Sequence, residues 1–195
     1  DPGSVTRSAA IESAATLDTD EALSPFGRRA EREALRRGFG QAGRRVVIGD
    51  GATWIWAIAA ELFPGAVGIV DLFHAKEHLS TVGKAVFGPT SELGRAWSRE
   101  RHEELDEGRL DDLLAALAAH AVTSDEARRC QGYVTTNRHR MRYPEFRAMG
   151  LCVSSGVVEA GCKVVVGTRL KRAGMRWTLA GADAILALRA CHLSG

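Results

Sequence analysis

The stretch from Arg45 to Asp71 limits the fold more than any other part of the chain. Arg45-Val46-Val47-Ile48-Gly49-Asp50 is a β-branched run that ends in a Gly-Asp-Gly turn, the pattern of a buried strand with a tight exit. Trp54 to Phe63 is an apolar helix closed by Pro64-Gly65, and Val67-Gly68-Ile69-Val70-Asp71 is a second β-branched run, again with an acid at its end. Strand, helix and strand with short connections form a βαβ unit, so the two strands are expected to be parallel and the crossover right-handed. Asp50 and Asp71 then emerge at the same edge of a sheet, where α/β folds place their ligand sites.

The rest of the chain reads as helical. Residues 1–25 are rich in Ser, Thr, Ala and Asp without a sustained period and read as a weakly ordered lead-in. Ser24-Pro25 is a helix start, followed to Gln41 by Phe26, Ala30, Ala34 and Phe39 among arginines. Between about 75 and 139, Leu105, Leu110, Leu113, Leu114 and Leu117 recur at helical spacing, with breaks at Gly88-Pro89 and Gly108. Three or four helices inserted into the α/β part account for this pattern. "RMRYPEFRAMG" reads as a turn-containing connector; a helix from Ser154-Ser155 carries Glu159 and Lys163, and a last helix spans Gly181 to Cys191. At 195 residues and 45% hydrophobic, the chain suffices for one core of ordinary size, and 26–195 is read as one domain with its insertion.

Charge is unevenly spread. Arg99 to Ala127 holds nine acids against three bases, whereas Arg128 to Arg176 holds eleven bases against two acids, Glu145 and Glu159. Glu159 is the only acid between Phe146 and Leu179, beside Arg147, Lys163, Arg169, Lys171, Arg172 and Arg176. The basic segment either balances the acidic insertion within the molecule or tracks a polyanion. Cys130, Cys152, Cys162 and Cys191 form no CxxC pair and read as reduced, mostly buried thiols. No apolar run nears the roughly 20 residues of a bilayer span, and no signal peptide is visible. The expectation is a soluble intracellular protein.

The residues that could carry chemistry are Asp50, Asp71, His74 and Glu159. Carboxylates bind magnesium or manganese through oxygen, and two such ions about 4 Å apart can activate water against a phosphodiester. Each residue also has a structural reading. Asp50 can shape its turn or cap a helix, Glu159 can pair with Lys163 at i,i+4, and His74 and His78 can share a helix face. Zinc would need more ligands than Glu77 supplies nearby.

The passages "VVIGDGATWIW", "FPGAVGIVDLFHAKEHL" and "NRHRMRYPEFRAMGLCVSSGVVEAGCKVVVGTRLKRAGMRWTLAGADAILALR", in that order, resemble the C-terminal part of bacterial insertion-sequence transposases of the ISKra group, related in design to the Mutator-like enzymes. The resemblance covers roughly Phe26 to the C-terminus. It implies a partial RNase H-like α/β domain, a parallel βαβ core with a helical insertion between the second aspartate and the glutamate of an Asp-Asp-Glu triad. Asp50 matches the second aspartate and Glu159 the glutamate, as catalytic and metal-holding residues. Asp71 and His74 match an accessory D/C-x-x-H signature.

By the same resemblance, two Mg2+ or Mn2+ ions would serve DNA strand cleavage and strand transfer. Arg138, Arg140, Arg142, Arg147, Lys163, Arg169, Lys171, Arg172 and Arg176 would line the DNA, transposon ends and target alike. A homo-oligomer on DNA, cytoplasmic and nucleoid-associated, is implied. The family's first aspartate, on an upstream strand, has no counterpart here, because "AATLDTDEAL" with Asp18 and Asp20 has no β-branched run. The family's N-terminal DNA-recognition region is also missing, and the chain stops at "HLSG". A C-terminal fragment, inactive alone, is therefore expected. The rival readings are a domesticated DNA-binding protein without catalysis and an RNase H-like nuclease.

Overall fold

The structure is a computed structural model that describes residues 7–10, 24–156, 163–171, 174 and 176–193. It is mixed α/β and mostly helical, and it divides into two compact units, one of residues 1–45, 60–64 and 156–195, the other of residues 46–59 and 65–155.

In the first unit, helix α1 (Pro25–Arg36) starts as the sequence predicts. Pro25 opens it, where a missing N–H costs nothing, and the Ser24 hydroxyl accepts the Gly27 N–H at 2.9 Å. Gly38, at φ +64°, stops the helix two residues on, earlier than the predicted end at Gln41, because Phe39–Gln41 forms only a 3-10 turn. Phe39 then packs edge-on against Phe63, ring centres 5.0 Å apart.

The second unit holds the predicted βαβ motif. Strand β1 (Val46–Gly49), helix α2 (Thr53–Leu62) and strand β2 (Val67–Val70) follow in order. The strands pair in parallel, Val46 with Val67 through Gly49 with Val70. Next comes α3 (Leu72–Phe87), then α4 (Glu92–Asp106), α5 (Leu110–Ala121) and α6 (Asp125–Asn137). The breaks at Gly88-Pro89 and Gly108 fall where the sequence placed them.

A short helix α7 (Tyr143–Ala148) replaces the expected irregular connector. Pro144 sits in its first turn, where proline starts a helix instead of breaking one.

One hydrophobic cluster joins sheet and insertion. Ile69 and Val70 of β2 meet Leu79 and Val82 of α3, Leu105 of α4, Leu113 and Leu117 of α5, Val134 of α6, and Tyr143 and Phe146 of α7. Tyr143 is fully buried, and its hydroxyl donates to the Val70 carbonyl at 3.1 Å. Helices α3 and α4 approach closely at a glycine pair: a methyl group on Gly83 would lie 2.8 Å from the Gly94 carbonyl oxygen and 2.3 Å from Ser98 Oγ. No larger residue permits that backbone contact.

Beyond Gly156 the first unit resumes. Lys163–Gly167 forms a π turn running into Thr168–Leu170, and α8 (Leu179–His192) is capped by Thr178. Arg189 ties α8 to the π turn through the Val165 carbonyl at 3.0 Å. The expected helix around Glu159 lies outside the described residues. Of the described thiols, Cys130 is buried, and burial pushes it up to about 12. Cys152 and Cys191 are exposed, against the expectation of mostly buried cysteines, because they sit on a loop and on an outer helix face.

Candidate functional site

Asp50 and Asp71 stand side by side where the two strands end. The register pairs Gly49 with Val70, and the Asp71 N–H donates to the Gly49 carbonyl at 2.7 Å. Both acids follow directly, at the C-terminal edge of a parallel pair, as the βαβ reading requires. Their environments differ sharply.

Asp50 is exposed. Its Oδ1 accepts the Ala52 N–H at 2.9 Å, an Asx turn that sets the Gly-Asp-Gly exit. The turn is fixed from outside as well: the Tyr133 hydroxyl, on α6, donates to the Asp50 main-chain oxygen at 2.8 Å. Gly51, at φ +100°, allows the Tyr133 ring to lie against it; a Cβ there would meet Tyr133 Cε2 at 2.5 Å. Burial, then the nearby Asp50 carboxylate, push the Tyr133 phenol far up, so it stays a hydrogen-bond donor across physiological pH.

Asp71 is buried and spent on structure. Oδ1 accepts the N–H groups of Phe73 at 2.8 Å and His74 at 3.2 Å, capping α3, and Oδ2 accepts the Ser155 N–H at 2.5 Å. Burial pushes its carboxyl up, and hydrogen bonds from Ser155, His74 and Phe73 outweigh that, leaving it below the usual range. The Leu72 N–H donates to the Val153 carbonyl at 3.0 Å, so the segment before Gly156 is held against the start of α3. Asp71 is thus a cap and a tether, with little left for a ligand.

His74 and His78 share one face of α3, rings edge to face at 4.8 Å, and His78 lies against Tyr133 at 4.5 Å. Burial, then the neighbouring His74, hold His78 below its ordinary pKa. His74 Nδ1 lies 3.8 Å from Glu77. Asp50, Tyr133, His78 and His74 therefore form one continuous row. Tyr133 is the member that sequence reasoning missed: nothing near it in a polar helix marks contact with a turn 83 residues upstream.

For the metal ions that the resemblance implies, the donor chemistry fits in kind and is partial in number. Asp50 presents a hard, exposed oxygen at the sheet edge, which suits magnesium or manganese. Among the described residues no three His, Cys, Asp or Glu side chains gather into a metal-holding group. Glu159 lies outside the described residues.

The expected basic track is partly spent inside the protein. Arg138 reaches Asp111 at 2.8 Å, Arg142 reaches Glu145 at 2.8 Å, and Arg147 joins Lys76 on Asp106. Arg140 lies over the Trp56 ring at 4.4 Å and Arg169 over Trp177 at 5.7 Å. Two of these pairings, to Asp111 and Asp106, answer the acidic insertion with the basic segment, one of the two readings the charge pattern left open. Lys163, Lys171 and Arg176 are exposed, and Arg172 lies outside the described residues.

Among the described residues no helix is long and apolar enough to cross a membrane. No protein-family model, curated protein or solved structure matches this chain.

Proposed function

We propose that this chain carries part of the catalytic domain of a DNA transposase with an RNase H-like fold and an Asp-Asp-Glu triad. The observation that supports this most is the exposed Asp50 carboxylate at the C-terminal edge of a parallel βαβ pair, with a helical insertion following it. Asp50 and Glu159 would hold the divalent metal, whose chemistry is to activate water and stabilise the leaving oxygen of a phosphodiester. The turn locks formed by Ala52 and Tyr133 fix where Asp50 sits, and preorganisation of that kind is what metal ligands require. Asp71 would support the site indirectly, by holding the start of α3 and hence His74.

Metal binding tests the reading. Mn2+ titration followed by water-proton relaxation should show a site that Asp50→Asn and Glu159→Gln each weaken at least tenfold, with helix content unchanged. Equal Mn2+ affinity in wild type and both variants sinks the catalytic reading. Duplex binding without Mn2+ binding would favour a DNA-binding protein without catalysis.

A further inference from the structure

Helix α1 carries an arginine surface that the basic track of residues 138–176 does not include. Arg28, Arg32 and Arg36 recur every fourth residue and are exposed, so they form one stripe along the helix. Each step climbs about 6 Å at 1.5 Å per residue. Like charges at this spacing destabilise a helix, and α1 offers only Glu31 and Glu33 against them. Glu33 reaches Arg36 at 4.0 Å, the limit of an ion pair. Arg28 and Arg32 form no ion pair among the described residues, in contrast to Arg138, Arg142 and Arg147.

The stripe borders a concavity of about 350 Å3 between α1 and α8; among the described residues it is lined by Arg7, Arg29, Arg32 and Arg36, with Glu33 the one acid and Ala187 on the far wall. Arg7 is positioned there by a hydrogen bond from Nη1 to the Leu193 carbonyl at 2.7 Å. Every cation in this set is an arginine. Its planar fork matches phosphate oxygens in pairs, where a lysine supplies a point charge. The exposed apolar side chains of α1, Phe26 and Leu35, project to opposite sides of the helix at about 100° per residue. They form no single apolar face of the kind a membrane-surface helix inserts.

We propose that α1 and this concavity are a phosphate-binding surface for a nucleic-acid backbone. The proposal deepens the DNA reading above and rests on it for the class of partner, though not for metal chemistry. Binding would be insensitive to sequence, since guanidinium contacts to phosphate carry no base information.

The test is fluorescence anisotropy of the full chain with a labelled 30-base-pair duplex, at several salt concentrations. Arg28→Gln/Arg32→Gln should weaken binding at least tenfold at 0.1 M salt for any sequence, and lower the salt slope by about two, near 0.9 per lost phosphate contact. Arg28→Lys/Arg32→Lys should keep the slope and lose part of the affinity, and circular dichroism should show both variants folded. If wild type binds the duplex and the glutamine variant matches it in affinity and slope, the surface is wrong while the DNA reading stands. If wild type binds no duplex, the DNA partner falls in both readings. Capture by phosphatidylserine vesicles or a polyglutamate peptide with no duplex binding overturns the proposal in favour of those partners.

Discussion

The hydroxyl of Tyr133 donates to the main-chain oxygen of Asp50 at 2.8 Å, while the ring of the same tyrosine fills the space where a side chain on Gly51 would stand. One residue of the insertion thus fixes both the hydrogen bonding and the steric shape of the turn that presents Asp50.

Gly51→Ala should destabilise the protein by about 2 to 4 kcal/mol, from a left-handed φ and a clash with a packed ring. In a Tyr133→Ala background the clash disappears and only the backbone strain of about 1 kcal/mol remains. Urea unfolding of the four variants of this cycle checks the coupling. Equal costs in both backgrounds would show that the ring does not press on the turn.

Tyr133→Phe keeps the ring and removes the donor. The expected loss is about 1 kcal/mol, with faster amide exchange at Ala52 as the Asx turn loosens. Hydrogen exchange read by NMR measures this, and unchanged protection across residues 50–52 would rule out the latch.

Asp71 sets part of the acid limb of stability. Its folded pKa is depressed, so its contribution is complete above the unfolded carboxylate value of about 3.9 and is lost as pH falls through the lower folded value. Asp106 behaves alike: burial pushes it up, and Arg147 and Lys76 outweigh that. Asp71→Asn should cost about 1 to 2 kcal/mol at pH 7 and flatten the pH dependence of unfolding below pH 4. Thermal melts from pH 2 to pH 7 compare the two proteins.

His78 acts in the opposite pH range. Burial lowers its folded pKa, and His102 is lowered by burial as well, so the unfolded chain takes up protons first. Stability should therefore fall as pH drops below about 6.5. His78→Gln should reduce that slope between pH 5 and 6.5, and an unaltered slope would place the titration elsewhere.

The βαβ core was legible because β-branched runs, a Gly-Asp-Gly exit and short connections leave few alternatives; the observed strands are shorter than predicted by a residue at one end or both. The helices of the insertion were legible from leucine spacing and two glycine breaks. Helix α7 was missed because Pro144 reads as a stop or a start depending on which turn it occupies, and only the structure decides that. The partners of Arg138 and Arg147 were unreadable for a related reason: Asp111 and Asp106 lie 27 and 41 residues away in sequence, and charge order does not say which acid meets which base. Tyr133 was hidden by distance along the chain. Asp50 was found as a site candidate through its place at a strand end, whereas the structural use of Asp71 became visible only with the amides of Phe73, His74 and Ser155 around it.

Helix α3 begins on the Asp71 cap and ends sixteen residues later beyond the glycine contact with α4, a span of about 24 Å. His74 and His78 ride on its first two turns, while Gly83 is locked backbone to backbone against α4 near its far end. The helix is fixed along its whole length: Asp71 holds its start at the sheet edge, Leu79 and Val82 sit in the core, and Gly83 meets α4. The Asp71 cap and the Gly83 contact therefore together set where His74 and His78 stand beside Tyr133 and the turn of Asp50.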